Sequence, residues 1–130
     1  MKKGDIFRHQ FQVTQSVYDN FIKTFEDKNP LHTDESFAKA KGFRSVVMHG
    51  NILCGFISYF VGESLPLKNV MILSQEILFS KPVYLGDSLS FKAEVADVHE
   101  SVNVADFNFQ FENKESLRVA KGTLKIKLLK

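Results

Sequence analysis

The sequence predicts an α+β domain in which a curved antiparallel sheet wraps one long buried helix. Three observations predict it. The stretch 50–62 runs from Gly50 through Asn51, Ile52, Leu53, Cys54, Gly55, Phe56, Ile57, Ser58, Tyr59, Phe60 and Val61 to Gly62 and is apolar nearly all round, the pattern of a helix buried on every side. Several segments around it alternate apolar and polar residues, as strands with one buried face do. At 130 residues the chain is a single domain, 1–130, able to bury a real core but too small to hide such a helix unless something wraps it.

The elements follow in order. Residues Ile6 to Val13 alternate, with Phe7, His9, Phe11 and Val13 on one side and Ile6, Arg8, Gln10 and Gln12 on the other, which reads as a half-buried strand. Thr14 is placed to cap a helix over Gln15 to Phe25, whose Val17, Phe21, Ile22 and Phe25 form one apolar stripe. A turn at Asp27 to His32 ends it. Thr33 or Asp34 then caps a short helix, Glu35 to Lys41, that stops at Gly42. After the long apolar helix, Val70 to Phe79 reads as a strand and Lys81 to Asp87 as an extended stretch with a turn. Leu89, Phe91, Ala93 and Val95 alternate with polar partners. A further strand runs through Val102, Val104, Phe107, Phe109 and Phe111, with a parity shift near Ala105 where a bulge fits. Asn113 to Ser116 is a turn, and Leu124, Ile126 and Leu128 form the last strand. This is the hot-dog layout. One copy leaves a sheet edge unpaired and a helix end poorly covered, so a homodimer is expected.

Composition removes several classes of function. A formal charge of +2 and no basic run interleaved with aromatics give no footprint for nucleic acid. One cysteine, Cys54, forbids an intramolecular disulfide and a Cys-rich metal site. The longest apolar run, near Ile52 to Val61, is too short to span a bilayer. Met1-Lys2-Lys3-Gly4-Asp5 leads into a polar strand rather than an apolar signal core. A cytoplasmic protein is expected, with neither membrane nor nucleic acid as partner.

Chemistry is concentrated in Asp27-Lys28-Asn29-Pro30-Leu31-His32, followed about twenty residues later by His49-Gly50. Pro30 fixes its own φ near −65° and pushes Asn29 towards an extended conformation, so Asp27 and His32 flank a bend instead of sharing a helical face. A carboxylate and an imidazole that converge on one water are the parts for general acid–base chemistry near neutral pH. Simple capping and surface roles are the plainer reading of those six residues taken alone. Gly50 opens the apolar helix, where a backbone N–H lacks an intrahelical partner and meets the positive end of the helix dipole. Counting 100° per residue, Cys54, Ile57, Ser58 and Val61 fall within a quarter turn of Gly50. Ser58 is the polar member of that face.

The blocks Glu26 to His32, His49-Gly50 and Gln75 to Asp87 (QEILFSKPVYLGD) together resemble the MaoC-like hydratase family, which includes (R)-specific enoyl-CoA hydratases. The likeness covers essentially the whole chain. It implies Asp27 and His32 as the catalytic pair and Gly50 as the N–H that receives the thioester oxygen; Ser58 matches a position near the family's site, and the helical face that it shares with Val61 points along the path of the acyl chain. The implied reaction is reversible syn addition of water to a trans-2-enoyl-CoA, giving the (3R)-hydroxyacyl product, with no cofactor beyond the coenzyme A on the substrate. Glu26 stands where many family members carry Gly or Ser. Alternatives are a (3R)-hydroxyacyl-acyl-carrier-protein dehydratase and a non-catalytic acyl-CoA-binding hot-dog protein, the latter opposed by the joint presence of Asp27, His32 and Gly50.

Other candidates have plainer readings. His49 suits a structural role at the helix start. His9 and His99 lie in strands far from the motif, and Cys54 is a small core residue. No metal is expected: Asp27, Asn29, His32, Asp34 and Glu35 break the calcium-loop pattern and make a poor zinc set. Lys41, Arg44, Lys68 and Lys81 suit solvated surface charge better than contacts to the coenzyme A phosphates.

Overall fold

The computed structural model describes residues 1–130. Strand β1 is Ile6–Gln12, helix α1 Gln15–Phe25, the single turn α2 Pro30–Thr33, α3 Glu35–Ala40 and α4 Asn51–Tyr59. Helix α4 continues through one wider turn, Phe60–Ser64. Strands β2 (Val70–Phe79), β3 (Ser88–His99), β4 (Val104–Glu112) and β5 (Arg118–Leu128) complete the chain. They form one antiparallel sheet in the order β1-β3-β4-β5-β2.

Strand parity sends the rings to one face. Phe11 pairs with Leu89, Phe91 with Phe111, Ala93 with Phe109, and Phe107 with Leu124. Phe60 comes down from the end of α4 and meets Phe91 at 4.9 Å between centroids and Phe7 at 5.9 Å. Tilted and edge-on contacts at this spacing add to the burial of the rings. Ile52, Leu53, Ile57, Phe60 and Val61 fill the same core.

Three expectations need correction. Helix α4 is not wrapped on all sides: Asn51, Gly55, Ser58, Tyr59 and Gly62 are exposed, because one sheet covers only one side of a helix. The bulge lies in β3, where Ala96 is the extra residue between the pairs Val95–Phe107 and Asp97–Asp106, and not in β4 near Ala105. Val102 sits in the preceding turn, exposed, which is why it broke the parity. The last strand also starts earlier than Leu124. Gly122 and the adjacent buried pair Val119 and Ala120 hide its alternation.

On the polar side of the sheet, Asp106 accepts from Lys125 at 2.7 Å and pairs with the His99 imidazole at 2.9 Å. The Lys125 hydrogen bond, and then that of His99, hold its carboxyl below the ordinary carboxylate value. A lowered folded-state pKa adds stability above the unfolded value and loses it as pH falls through the folded one. Asp106→Asn is therefore expected to destabilise at neutral pH, with the gap to the native protein closing in acid below about pH 4. Urea unfolding across that range checks it, and a gap that stays constant contradicts it.

Candidate active site

Residues 26–34 form a turn held by its own side chains. Thr14 caps the front of α1 by accepting from Val17 N–H, and the helix ends with Glu26 in the left-handed region at φ 58°. That conformation suits glycine, because a Cβ there crowds the following carbonyl. Glu26→Gly is expected to stabilise the fold by about 1 kcal/mol, read as a raised urea midpoint. Asp27 Oδ1 accepts from Asn29 N–H at 3.2 Å, and Asn29 Oδ1 accepts from Leu31 N–H at 3.0 Å. Pro30 occupies the first position of the following turn, where no N–H is needed. Asp34 then caps α3 by accepting from Phe37 N–H.

The bend brings Asp27 and His32 together. Asp27 Oδ2 lies 3.9 Å from His32 Nε2, too long for a direct hydrogen bond and short enough for one oxygen to bridge. The tautomer of His32 follows from its other nitrogen. Nδ1 is 2.6 Å from the Val47 carbonyl oxygen, which can only accept, so Nδ1 carries a proton and Nε2, the nitrogen that is bare in the neutral form of such a ring, is the one turned towards Asp27. The Tyr18 hydroxyl donates to the His32 carbonyl. Burial, with some help from Asp19, raises the Tyr18 pKa, which keeps that donor protonated.

The start of α4 arrives from the other side. Met48 N–H donates to the Val83 carbonyl at 2.8 Å, which ties the Pro82-Val83 stretch to the helix entrance. Gly50 has an ordinary helical backbone (φ −57°, ψ −35°), so its lack of a side chain serves space and not conformation. A Cβ there would sit 2.9 Å from the Phe79 ring of β2. The N–H groups of Gly50 and Asn51 donate to no protein acceptor. His49 is 2% exposed, and its Nε2 lies 2.8 Å from the Asp27 carbonyl.

A cavity of about 520 Å³ exposes this set, with Asp27, His32, His49, Gly50 and Phe79 in its wall. A second, more apolar groove of about 770 Å³ runs between α1 and α4 past Phe25, Gly55 and Phe56, and shares Phe21, Asp27 and Asn51 with the first. Phe25, a member of the α1 stripe, is largely exposed there, with its ring 4.9 Å from that of Phe21. Ser58 and Val61 line neither space: Val61 is packed into the core and Ser58 points to the open side of α4. Within that sector Val61 falls on the core side and Ser58 on the solvent side, while the cavity opens at the N-terminal end of the helix beside Gly50, Asn51 and Leu53.

Asp27, His32 and His49 place one donor atom each within 4.8 Å of the others, a grouping invisible when only residues 27–35 are scanned for metal ligands. Both imidazoles already spend a nitrogen on a backbone carbonyl. Of the four cations, Arg44 packs on the Tyr84 ring and faces Asp87 at 3.6 Å. Lys68 bonds the Gly62 and Glu63 carbonyls, and Lys41 lies over Phe37. Lys81 alone borders the cavity of the pair. Sequence reasoning missed Tyr18 and Val47, and held Phe79 only as part of the Gln75 to Asp87 block without a role at Gly50. For Tyr18 a signal existed: it lies three residues before Phe21 on a helix whose other polar residues are exposed.

Comparison with known proteins identifies the family. Residues 3–115 match the family model described as MaoC like domain. The (R)-specific enoyl-CoA hydratase of Aeromonas caviae is 31% identical over 108 residues, 83% of this chain and 81% of its own. A mitochondrial 3-hydroxyacyl-[acyl-carrier-protein] dehydratase of Arabidopsis thaliana is 26% identical over 125 residues, 94% of this chain and 74% of its own. The solved (R)-hydratase from A. caviae superposes with a TM-score of 0.90 at 27% identity, covering 98% of this chain and 97% of that one. With the hot-dog fold, the Asp27–His32 pair beside the α4 N-terminus and a family match over nearly its whole length, this chain belongs to the MaoC-like dehydratase family and is an enzyme of the hydro-lyase class.

Proposed function

We propose that the protein is an (R)-specific enoyl-CoA hydratase. The observation that carries the reading is the opposition of Asp27 Oδ2 and His32 Nε2 across 3.9 Å, with His32 Nδ1 already bonded to Val47, beside the unpartnered N–H of Gly50. A water between the two acceptors gives each one of its hydrogens. Its oxygen bonds to C3 of the enoyl thioester as the C2–C3 π electrons move towards the carbonyl. The oxyanion that develops is stabilised by the Gly50 N–H at the helix start. One water proton passes to the pair and a proton returns from it to C2 on the same face, so water adds syn and nothing else is consumed. The proton is assigned to the pair as a unit, with Asp27 as principal base and His32 orienting the water.

No cofactor takes part beyond the coenzyme A that the substrate brings. A cytoplasmic location is part of this reading. A homodimer is the expected assembly. Strand β2 is an edge strand with Met71, Leu73, Leu78 and Phe79 all exposed, a long apolar edge of the kind that a second chain covers.

The test is loss of the conjugated enoyl absorbance when crotonyl-CoA or a longer trans-2-enoyl-CoA meets the protein, with chiral analysis of the product. The (3R) product supports the reading, and the ratio of the two rates sizes the acyl space. Absorbance unchanged on both substrates removes it. The acyl-carrier-protein dehydratase is then the next reading, favoured by the likeness to the Arabidopsis protein over 94% of the chain.

A further inference from the structure

His49 is the most enclosed polar side chain in the molecule. Its ring lies 4.0 Å from the His32 ring at a 30° tilt. Phe21 at 4.6 Å and Tyr18 at 6.0 Å close in from α1. Its Nδ1 is buried without a partner. An acceptor left unpaired in the interior works against folding, and a ring needed only to fill this space is supplied without that cost by phenylalanine. What histidine adds is the Nε2–H, and that proton goes to the carbonyl of Asp27, from 22 residues further along the chain.

We propose that His49 is a positioning residue that sets both members of the catalytic pair at once. Through its hydrogen bond it fixes the Asp27 backbone, and with it the direction of the carboxylate. Through its face it gives the His32 ring a flat support, while Val47 and Tyr18 hold that residue by its Nδ1 and its carbonyl. Residue 49 directly precedes Gly50, so the same side chain also locks the turn to the helix start that offers the oxyanion donor. The proposal rests on the reading of Asp27 and His32 as the reacting pair.

His49→Phe keeps the ring and loses the donor. In the full-length protein we expect its thermal midpoint to be retained, and the amides of His32 and Val47 to exchange at least about tenfold faster as the turn loosens. Displacing the pair by a fraction of an ångström is expected to lower kcat by about a hundredfold, with KM changing far less. His49→Gln, whose amide N–H can reach the same carbonyl, is expected to recover most of both losses. A His49→Phe variant with native exchange and native kcat overturns the proposal, as does a His49→Gln variant as impaired as His49→Phe. Should the native protein hydrate no enoyl-CoA, the hydratase reading fails and amide exchange alone decides the positioning role. If His49→Phe does not fold, nitrogen NMR of the native protein decides instead: an Nε2–H tautomer supports the proposal and an Nδ1–H tautomer overturns it.

Discussion

Asp27→Asn and His32→Gln are each expected to lower kcat/KM on enoyl-CoA by about a hundredfold or more, the usual share of a positioned acid–base group, while the fold survives. The geometry explains why the fold survives. An asparagine at 27 still accepts the Asn29 N–H through its side-chain oxygen, so the turn keeps its internal bond. A glutamine at 32 gives up the ring bond to the Val47 carbonyl but leaves the backbone bonds that hold this stretch, His32 N–H to Asn29 and Val47 N–H to Leu31, in place. What each loses is chemical: the amide of asparagine takes no proton, and glutamine offers no basic nitrogen where Nε2 stood. Combining the two is expected to cost little more than either alone, because they act on one water. Rates of enoyl absorbance loss, with circular dichroism and thermal midpoints as the folding control, measure this. Substantial turnover in either variant, with the fold intact, sinks the assignment of the pair.

The largest loss of stability is expected from Gly122→Ala. Gly122 lies in β5, between Phe109 of β4 and Ile77 of β2. A Cβ there would drive into the Glu76 carbonyl of β2 and come within 2.7 Å of the Phe109 ring. Neither can give way cheaply: one is backbone in a ladder, the other a ring in the packed core. We expect a cost of about 3 kcal/mol, seen as a lower urea midpoint. The damage should reach function too, since β2 ends at Phe79, the wall against which Gly50 is packed. Gly50→Ala makes an instructive contrast. Its methyl group meets only the half-exposed Phe79 ring, which can rotate away, so its stability loss should be well below that of Gly122→Ala. Equal losses would contradict the view that the Glu76 backbone sets the limit.

Much of this was readable along the chain because it depends on neighbours in sequence. Period-two alternation predicts β1 and β3, and Thr14 with the stripe that follows predicts α1. The Asp27 to His32 turn is local chemistry: Asn29 and Pro30 impose it whatever surrounds them. So is the preference of Gly50 for a helix start next to an exposed donor. Where periodicity broke, the sequence misled. Val119 and Ala120 are buried side by side, Gly122 has no side chain to count, and Ala96 is an unpaired extra residue that only the partner strand reveals.

The sequence by itself determined the fold class, the family, and which two side chains face each other across the turn, since those follow from patterns repeated every two to four residues and from one proline-bearing bend. Tertiary structure decided everything that joins segments far apart. It put His49 under both Asp27 and His32, chose the His32 tautomer through Val47, and set Phe79 against Gly50. It also turned Ser58 and Val61 away from the cavity, although the helical wheel placed them near Gly50. Angular position on a helix says which residues share a side; only the packing of the sheet says which side is core and which is open.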